Sequence, residues 1–421
     1  MIDFALTSEQ IQMQRMAHEF AEKEIRPAEI ELDRWPDPED VFKSDLFWGV
    51  LKKAYEVDLH RTMIPEAYGG LSTGANTEIL TELVVLEELA WGGVGLALNI
   101  SVCPFVGVMV SFLGQMGPLF GGQGISETVI DEFVRPFCAD KEARYVGSWG
   151  ATEPECSSDL GLYMANPDPK YVFKTTARKV GNKYILNGSK SAFPTNGTIA
   201  TQYVIHATID ASRGVGGQGI FVVPADLPGV SKGKPFNKIG MRAHNQGEIF
   251  LDNVEVPEEY LLMGPLPPEQ GDFMADFGPL LLSFSNPSVG IMCVGMARAA
   301  YEIALDYAKQ RVQGGVPIIK HEIIGLRLLD MYIAIEAARS FIYKSVWENS
   351  NRFPPNAALG IACKVFPPRM AQKVTMDAVE VMGGYGLSKE HMLEKLLRDA
   401  QPMIPCDLPV DVLAYVASQK L

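Results

Sequence analysis

From Thr7 the apolar residues recur at helical spacing. Ile11, Met13, Met16, Phe20 and Ile25 alternate with charged positions. Thr7 and Gln10 fit a capping box at the start of this helix, and Pro27 and Pro36 mark its end. A loop, Met63 to Gly70, leads to a longer predicted helix from about Asn76 to Ala90, with Leu80, Leu83 and Val84 on one side. Gly92 to Gly114 is apolar and rich in small residues, which predicts a buried helix. Residues Gln115 to Ser126 are glycine-rich and read as a surface insertion.

Beyond about residue 145 the period drops to two. Tyr171 to Arg178, Lys183 to Leu186, Gln202 to Ala207, Gly219 to Val223 and Glu248 to Leu251 read as short strands. Turn pairs such as Gly181-Asn182 and Asn187-Gly188 separate them. Close-spaced strands of this kind predict a small antiparallel barrel or sandwich. From about residue 280 the helical period returns, over 289–311, 322–349, 356–382 and 410–420, which predicts a four-helix bundle. The fold class is therefore α+β: a helical domain (1–145), a middle β domain (146–265) and a C-terminal helical bundle (266–421).

The 421-residue chain is 47% hydrophobic and 21% charged, the balance of a globular protein with a large core. Its net charge of −14 argues against a nucleic-acid partner. Six scattered cysteines with no CxxC pair, and six scattered histidines with no HExxH, give no metal or disulfide framework. The apolar runs Phe105 to Leu113 and Pro279 to Leu282 are too short to span a bilayer. The N-terminus has neither the basic, apolar pattern of a signal peptide nor an Arg-rich presequence, so a cytoplasmic location is expected.

One stretch carries candidate chemistry. Arg398-Asp-Ala-Gln-Pro-Met-Ile-Pro-Cys-Asp407 follows a glycine turn, Met382 to Gly386, and ends in an acid among Pro402, Pro405 and Pro409. Asp407 is open to two readings, a cap on the last helix or a base on a stiffened loop.

The order of elements, together with five motifs, resembles the acyl-CoA dehydrogenase family, from Phe4-Ala-Leu-Thr-Ser-Glu-Gln onward. Thr152-Glu-Pro-Glu-Cys-Ser-Ser-Asp159 is similar to the family's TEPxxGSD loop. Ser191-Ala-Phe-Pro-Thr-Asn-Gly197 is similar to its xWITNG strand, with Phe193 for Trp. Tyr307-Ala-Lys-Gln-Arg-Val-Gln313 is similar to YAxxRxQFG, with Gly314 for Phe. Glu380-Val-Met-Gly-Gly-Tyr-Gly386 resembles QxxGGxGY, and Leu396-Leu-Arg-Asp-Ala400 matches LxRDA.

The resemblance implies FAD as cofactor. Its contacts would fall at Trp149, Ala151, Thr152, Ser157 and Ser158, then at Phe193 and Thr195. On the helical bundle they would fall at Arg311, Gln313 and His321, and at Glu380, Gly383 and Gly384. Gly383, Gly384 and Gly386 would admit a phosphate, which Arg311 neutralises. The resemblance implies that the Arg and the Gly turn reach one FAD from different subunits, hence at least a dimer and usually a homotetramer. Glu380 and Asp411 stand where the family has amide donors.

The family's loop Glu falls nine positions after Arg398, at Asp407. Asp407 is thus the implied proton acceptor, with Glu87 and Glu88 in reserve, because the segment Phe284 to Gly295 holds no acid. Ser158, Asn286 and Cys406 are implied substrate contacts. No Arg occurs in Trp91 to Val102, expected to line the acyl pocket, so a second carboxylate on the substrate lacks a partner. The implied reaction takes an α-proton and a β-hydride from an acyl-CoA thioester. Electron-transfer flavoprotein is the implied acceptor. The shortened acid and its changed neighbours favour a compact, branched or alicyclic acyl group. A flavin oxidase of the nitroalkane oxidase type and a non-catalytic subunit of a heteromeric dehydrogenase remain alternatives.

Overall fold

The computed structural model describes residues 5–74, 78–116, 124–191, 193–265, 267, 275, 278–352 and 354–421. Phe4, Asn76, Ala192 and most of the 115–126 insertion lie outside the described residues.

The capping box forms with both bonds: Gln10 N–H donates to Thr7 Oγ1, and Thr7 N–H donates to Gln10 Oε1. The helix Ser8–Phe20 does not stop at Pro27. It runs through a π turn, Ala21–Ile25, into Arg26–Asp33. Pro27 sits in the first turn of that last segment, where a missing N–H is tolerated. The predicted buried helix of Gly92 to Gly114 is two helices, Val94–Val102 and Phe105–Met116, bent by 48° at Cys103-Pro104. Proline cannot continue the first helix but begins the second, accepting from Val108 N–H.

The middle domain is one eight-stranded sheet. Its strands are β1 (Gly147–Gly150), β2 (Thr176–Val180), β3 (Lys183–Lys190), β4 (Gln202–Thr208), β5 (Gln218–Pro224), β6 (Val230–Lys232), β7 (Ile249–Pro257) and β8 (Leu261–Met263). The order is β6-β7-β3-β2-β4-β5-β8, with β1 added beside β4. Most pairings are antiparallel, as expected, but β1 and β2 both run parallel to β4. The predicted strand Tyr171 to Arg178 starts too early, since β2 begins only at Thr176, and β7 continues six residues beyond Leu251, to Pro257. β1, β6 and β8 are too short to show a period of two in the sequence.

The C-terminal bundle is built on one helix, Gly278–Gln310, which begins eleven residues before the predicted Val289. It is long and apolar enough to cross a membrane, but 72% of its most apolar window is buried inside the molecule, and it serves as the core helix. Two glycines let backbones meet on it. A Cβ at Gly290 would lie 2.2 Å from the Cys363 carbonyl oxygen, and one at Gly295 would lie 2.2 Å from that of Glu87. The other helices are Glu322–Ser350, Met392–Asp399 and Val410–Ser418, plus Ala357–Ala362 and Phe366–Met382. The last two were expected as one. They separate at Cys363 to Val365, ahead of Pro367-Pro368.

Candidate active site

Asp407 sits in the turn that joins Met392–Asp399 to the last helix. It does not cap that helix: Pro409 holds the capping position and no side chain bonds there. Its carboxylate instead points to the core helix. Asn286 Nδ2 donates to Asp407 Oδ2 at 2.7 Å, and Ser285 Oγ donates to the same oxygen at 3.4 Å. Burial pushes the Asp407 carboxyl above the usual aspartate range, while the Lys364 charge and the bonds from Asn286 and Ser285 pull it back. Asp407 and Leu408 both have left-handed backbones, with φ of 49° and 73°. Left-handed geometry is rare for a leucine, and strain of this kind concentrates at working sites. The reserve acids are committed elsewhere: Glu87 bonds Arg298 and Arg339, and Glu88 bonds Arg298, Gln14 and His18.

A second cluster lies in the middle domain. The Thr152 loop is held by the buried pair Glu153–Lys190 at 2.6 Å. Glu153 also accepts from the N–H groups of Lys174 and Thr175, and Lys190 donates to the Ala151 carbonyl. Burial pulls the Lys190 ammonium down to about 8, against the carboxylate beside it. Ala151 is buried, Ser157 is exposed, and Ser158 begins the helix Asp159–Ala165. Trp149 Nε1 donates to His206 Nε2 at 2.7 Å, so Trp149 offers a ring face and no free donor. Thr195 Oγ1 lies 2.9 Å from His244 Nε2. Burial holds His244 neutral, well below its ordinary value. Phe193 is 61% exposed and stacks on Phe236.

This cluster is linked to the acid loop. His244 O accepts from Lys238 Nζ at 2.6 Å, and the charge of Lys238 is felt at Cys406. On the other side Gly161 lets the helix Asp159–Ala165 approach Leu408 and Val412.

A third cluster surrounds an open groove of about 980 Å³. Its lining includes Arg311, Gln313, His321, Glu380, Gly383 and Gly384. Gly314 and Gly315, both at positive φ, turn the chain between Val312–Gln313 and Val316–Pro317. His321 Nε2 then meets the Gln313 carbonyl at 3.0 Å. One chain thus brings Arg311 and the Gly turn to one groove. Their motifs lie far apart in sequence, but Gly278–Gln310 and Phe366–Met382 pack side by side.

The groove suits an anionic ligand. Arg311 is exposed and makes no ion pair among the described residues. A Cβ at Gly383 or Gly384 would meet nothing within 4 Å. Glu380 is paired with Arg327, which offsets its charge. Two expectations change. Gly383 N–H is spent on the Glu380 carbonyl, and Gly386 serves packing, because a Cβ there would lie 2.7 Å from the Val379 carbonyl. Asp411 faces away from the groove, exposed and paired with Arg369 at 2.6 Å.

Three domain families match in succession: acyl-CoA dehydrogenase N-terminal domain over residues 7–115, middle domain over 148–254 and C-terminal domain over 281–405. The chain belongs to the acyl-CoA dehydrogenase family. It is therefore an oxidoreductase acting on CH–CH bonds. It is 32% identical to an acyl-CoA dehydrogenase of Bacillus subtilis (strain 168), covering 94% of this chain and 93% of the relative. It is 31% identical to cyclohex-1-ene-1-carbonyl-CoA dehydrogenase of Geobacter metallireducens, covering 94% and 93%. The butyryl-CoA dehydrogenase structure from Megasphaera elsdenii superposes with a TM-score of 0.82 at 28% identity, over 99% of both chains.

Within this acyl-CoA dehydrogenase, two side chains of the run Trp91 to Val102 are held by internal bonds. Trp91 packs under Arg26, with its Nε1 bonded to Glu302, and Asn99 bonds the Ala243 carbonyl and Asn245 N–H. The half-buried aromatic side chains come later. Phe105 stacks on Trp149 at 5.0 Å, and Phe112 meets Phe284, next to Ser285. Ser285, Lys364 and His244 were not among the sequence candidates. For Lys364 a signal existed, a lone lysine inside the apolar run Gly360 to Pro368.

Proposed function

We propose that this chain is an FAD-dependent acyl-CoA dehydrogenase in which Asp407 takes the α-proton of an acyl-CoA thioester. The observation that carries this reading is the half-buried Asp407 carboxylate, oriented by Asn286 and raised in basicity by its partial removal from water. A base needs both a fixed direction and a pKa moved toward the working range. When bound, FAD would take the β-hydride. The middle-domain cluster around Thr152 and Thr195 would hold its ring, and the Arg311–Gly384 groove its phosphates. Ser158 and Cys406 would flank the substrate, and Asn286 acts on it through Asp407.

The acyl group is compact and alicyclic, of the cyclohexanecarboxyl type. The short acid, the bulky Leu408 after it and the aromatic walls Phe105, Phe112 and Phe284 support this. So does likeness to relatives named for cyclohexene- and cyclohexane-carbonyl-CoA, at 31% and 28% identity. Electron-transfer flavoprotein accepts the electrons, and the enzyme is cytoplasmic. The exposed apolar side chains Ile323, Leu326, Leu329 and Ile333 along Glu322–Ser350 would be covered in a homotetramer. A second reading, nitroalkane oxidation, is favoured by the pairing of an aspartate with Ser285. Peroxide released under air with a nitroalkane, and no flavin reduction by any acyl-CoA, would establish it in place of the dehydrogenase.

A further inference from the structure

Lys364 is fully buried, between the helices Ala357–Ala362 and Phe366–Met382. It forms no ion pair with any carboxylate among the described residues, an unusual state for a buried ammonium. Its Nζ donates to two carbonyls, Ile404 O at 3.0 Å and Leu408 O at 3.0 Å. These two carbonyls bracket Asp407, and Ile404 O also accepts the Val410 N–H at 3.2 Å. The turn they close contains the two consecutive left-handed residues, Asp407 and Leu408. Asp tolerates that backbone, but a leucine before a proline does not favour it.

We propose that Lys364 is a positioning residue for proton abstraction, pinning the Ile404–Leu408 turn through both carbonyls so that the Asp407 carboxylate faces the substrate. This rests on the reading of Asp407 as the base. Lys364 also acts through its charge. The groups that face Asp407 are Ser285 and Asn286 from the core helix, Cys406 on its own turn, and Lys364; Cys293 on the core helix faces Lys364, and Lys238 from the middle domain faces Cys406. Lys364 is the cation whose charge reaches Asp407, and it favours the ionised carboxylate, partly offsetting the effect of burial. The lysine therefore holds the base in place and opposes the rise in its pKa.

The test is anaerobic flavin reduction followed by stopped flow against pH, with cyclohexanecarboxyl-CoA, in wild type, Lys364→Met, Lys364→Arg and Asp407→Asn. For Lys364→Met the limiting rate is expected to fall by about tenfold or more. Its acid limb should move up by about one pH unit, because an opposite charge has gone, with acyl-CoA affinity little changed. Lys364→Arg should leave the acid limb in place and lower the rate, since the larger, planar guanidinium does not fit the buried ammonium site without shifting the turn. A wild-type rate and acid limb in Lys364→Met overturn the proposal. If Lys364→Met does not fold, judged by circular dichroism and flavin absorbance, Lys364→Arg decides: a wild-type rate there overturns it. Unchanged reduction in Asp407→Asn would instead sink the reading of Asp407, whatever the lysine variants do.

Discussion

Asn286 Nδ2 donates to Asp407 Oδ2 across 2.7 Å, tying the core helix to the loop that carries the acid. The bond favours the charged carboxylate, so its loss should raise the Asp407 pKa further. In Asn286→Leu the acid limb of the rate profile is expected to move to higher pH. Stability at pH 7 should drop by about 1.5–3 kcal/mol, the range for a hydrogen bond to a charged group. Stopped-flow reduction against pH and a urea titration read the two effects.

Asp407 itself should cost stability. Its folded pKa lies above the unfolded value, so the folded state binds more protons between the two. The favourable contribution is present below the unfolded pKa and is lost as pH rises through the folded pKa. Asp407→Asn removes that loss, so at pH 7 it is expected to melt at or above the wild-type temperature, with the two curves converging toward acid pH. A clearly lower melting temperature at pH 7 would contradict the burial argument.

The Thr152 loop hangs on Glu153–Lys190, both fully buried. Lys190→Met leaves Glu153 charged and unpaired, which should cost about 3–5 kcal/mol. The double variant Glu153→Gln/Lys190→Met should recover much of that loss. Equal losses in the single and double variants, by denaturant unfolding of the holoenzyme, would show that the pair does not anchor the loop.

Arg311 should matter for the cofactor and little for the fold, because it is exposed on a groove. Arg311→Ala is expected to weaken FAD binding by about 10- to 100-fold, the loss of a charge-assisted bond to phosphate. Glu380→Gln should change it far less, since Glu380 is already neutralised by Arg327. The ratio of flavin to protein absorbance after dialysis reports both.

The domain order and the family were legible because long periodic segments and spaced motifs are local properties of sequence. The capping box at Thr7 was legible for the same reason. Boundaries that depended on neighbours were not. Pro27 reads as a helix stop until the π turn before it is seen, and the short strands β1, β6 and β8 exist only through pairing. Within the site, the motifs pointed to Asp407, Asn286, Thr195 and Arg311, and the fold brings Asn286 to Asp407. What organises these residues was hidden. Lys364 and His244 act through contacts with segments forty or more residues away, which no local pattern encodes.

The central claim is that Asp407 removes a proton from a compact acyl-CoA. The most direct measurement is anaerobic bleaching of the bound flavin by cyclohexanecarboxyl-CoA and by straight-chain acyl-CoAs, in wild type and Asp407→Asn. Wild type is expected to bleach fastest with the cyclic thioester, and Asp407→Asn to bind it while bleaching at least about a thousandfold more slowly. Bleaching of Asp407→Asn at the wild-type rate would contradict the account.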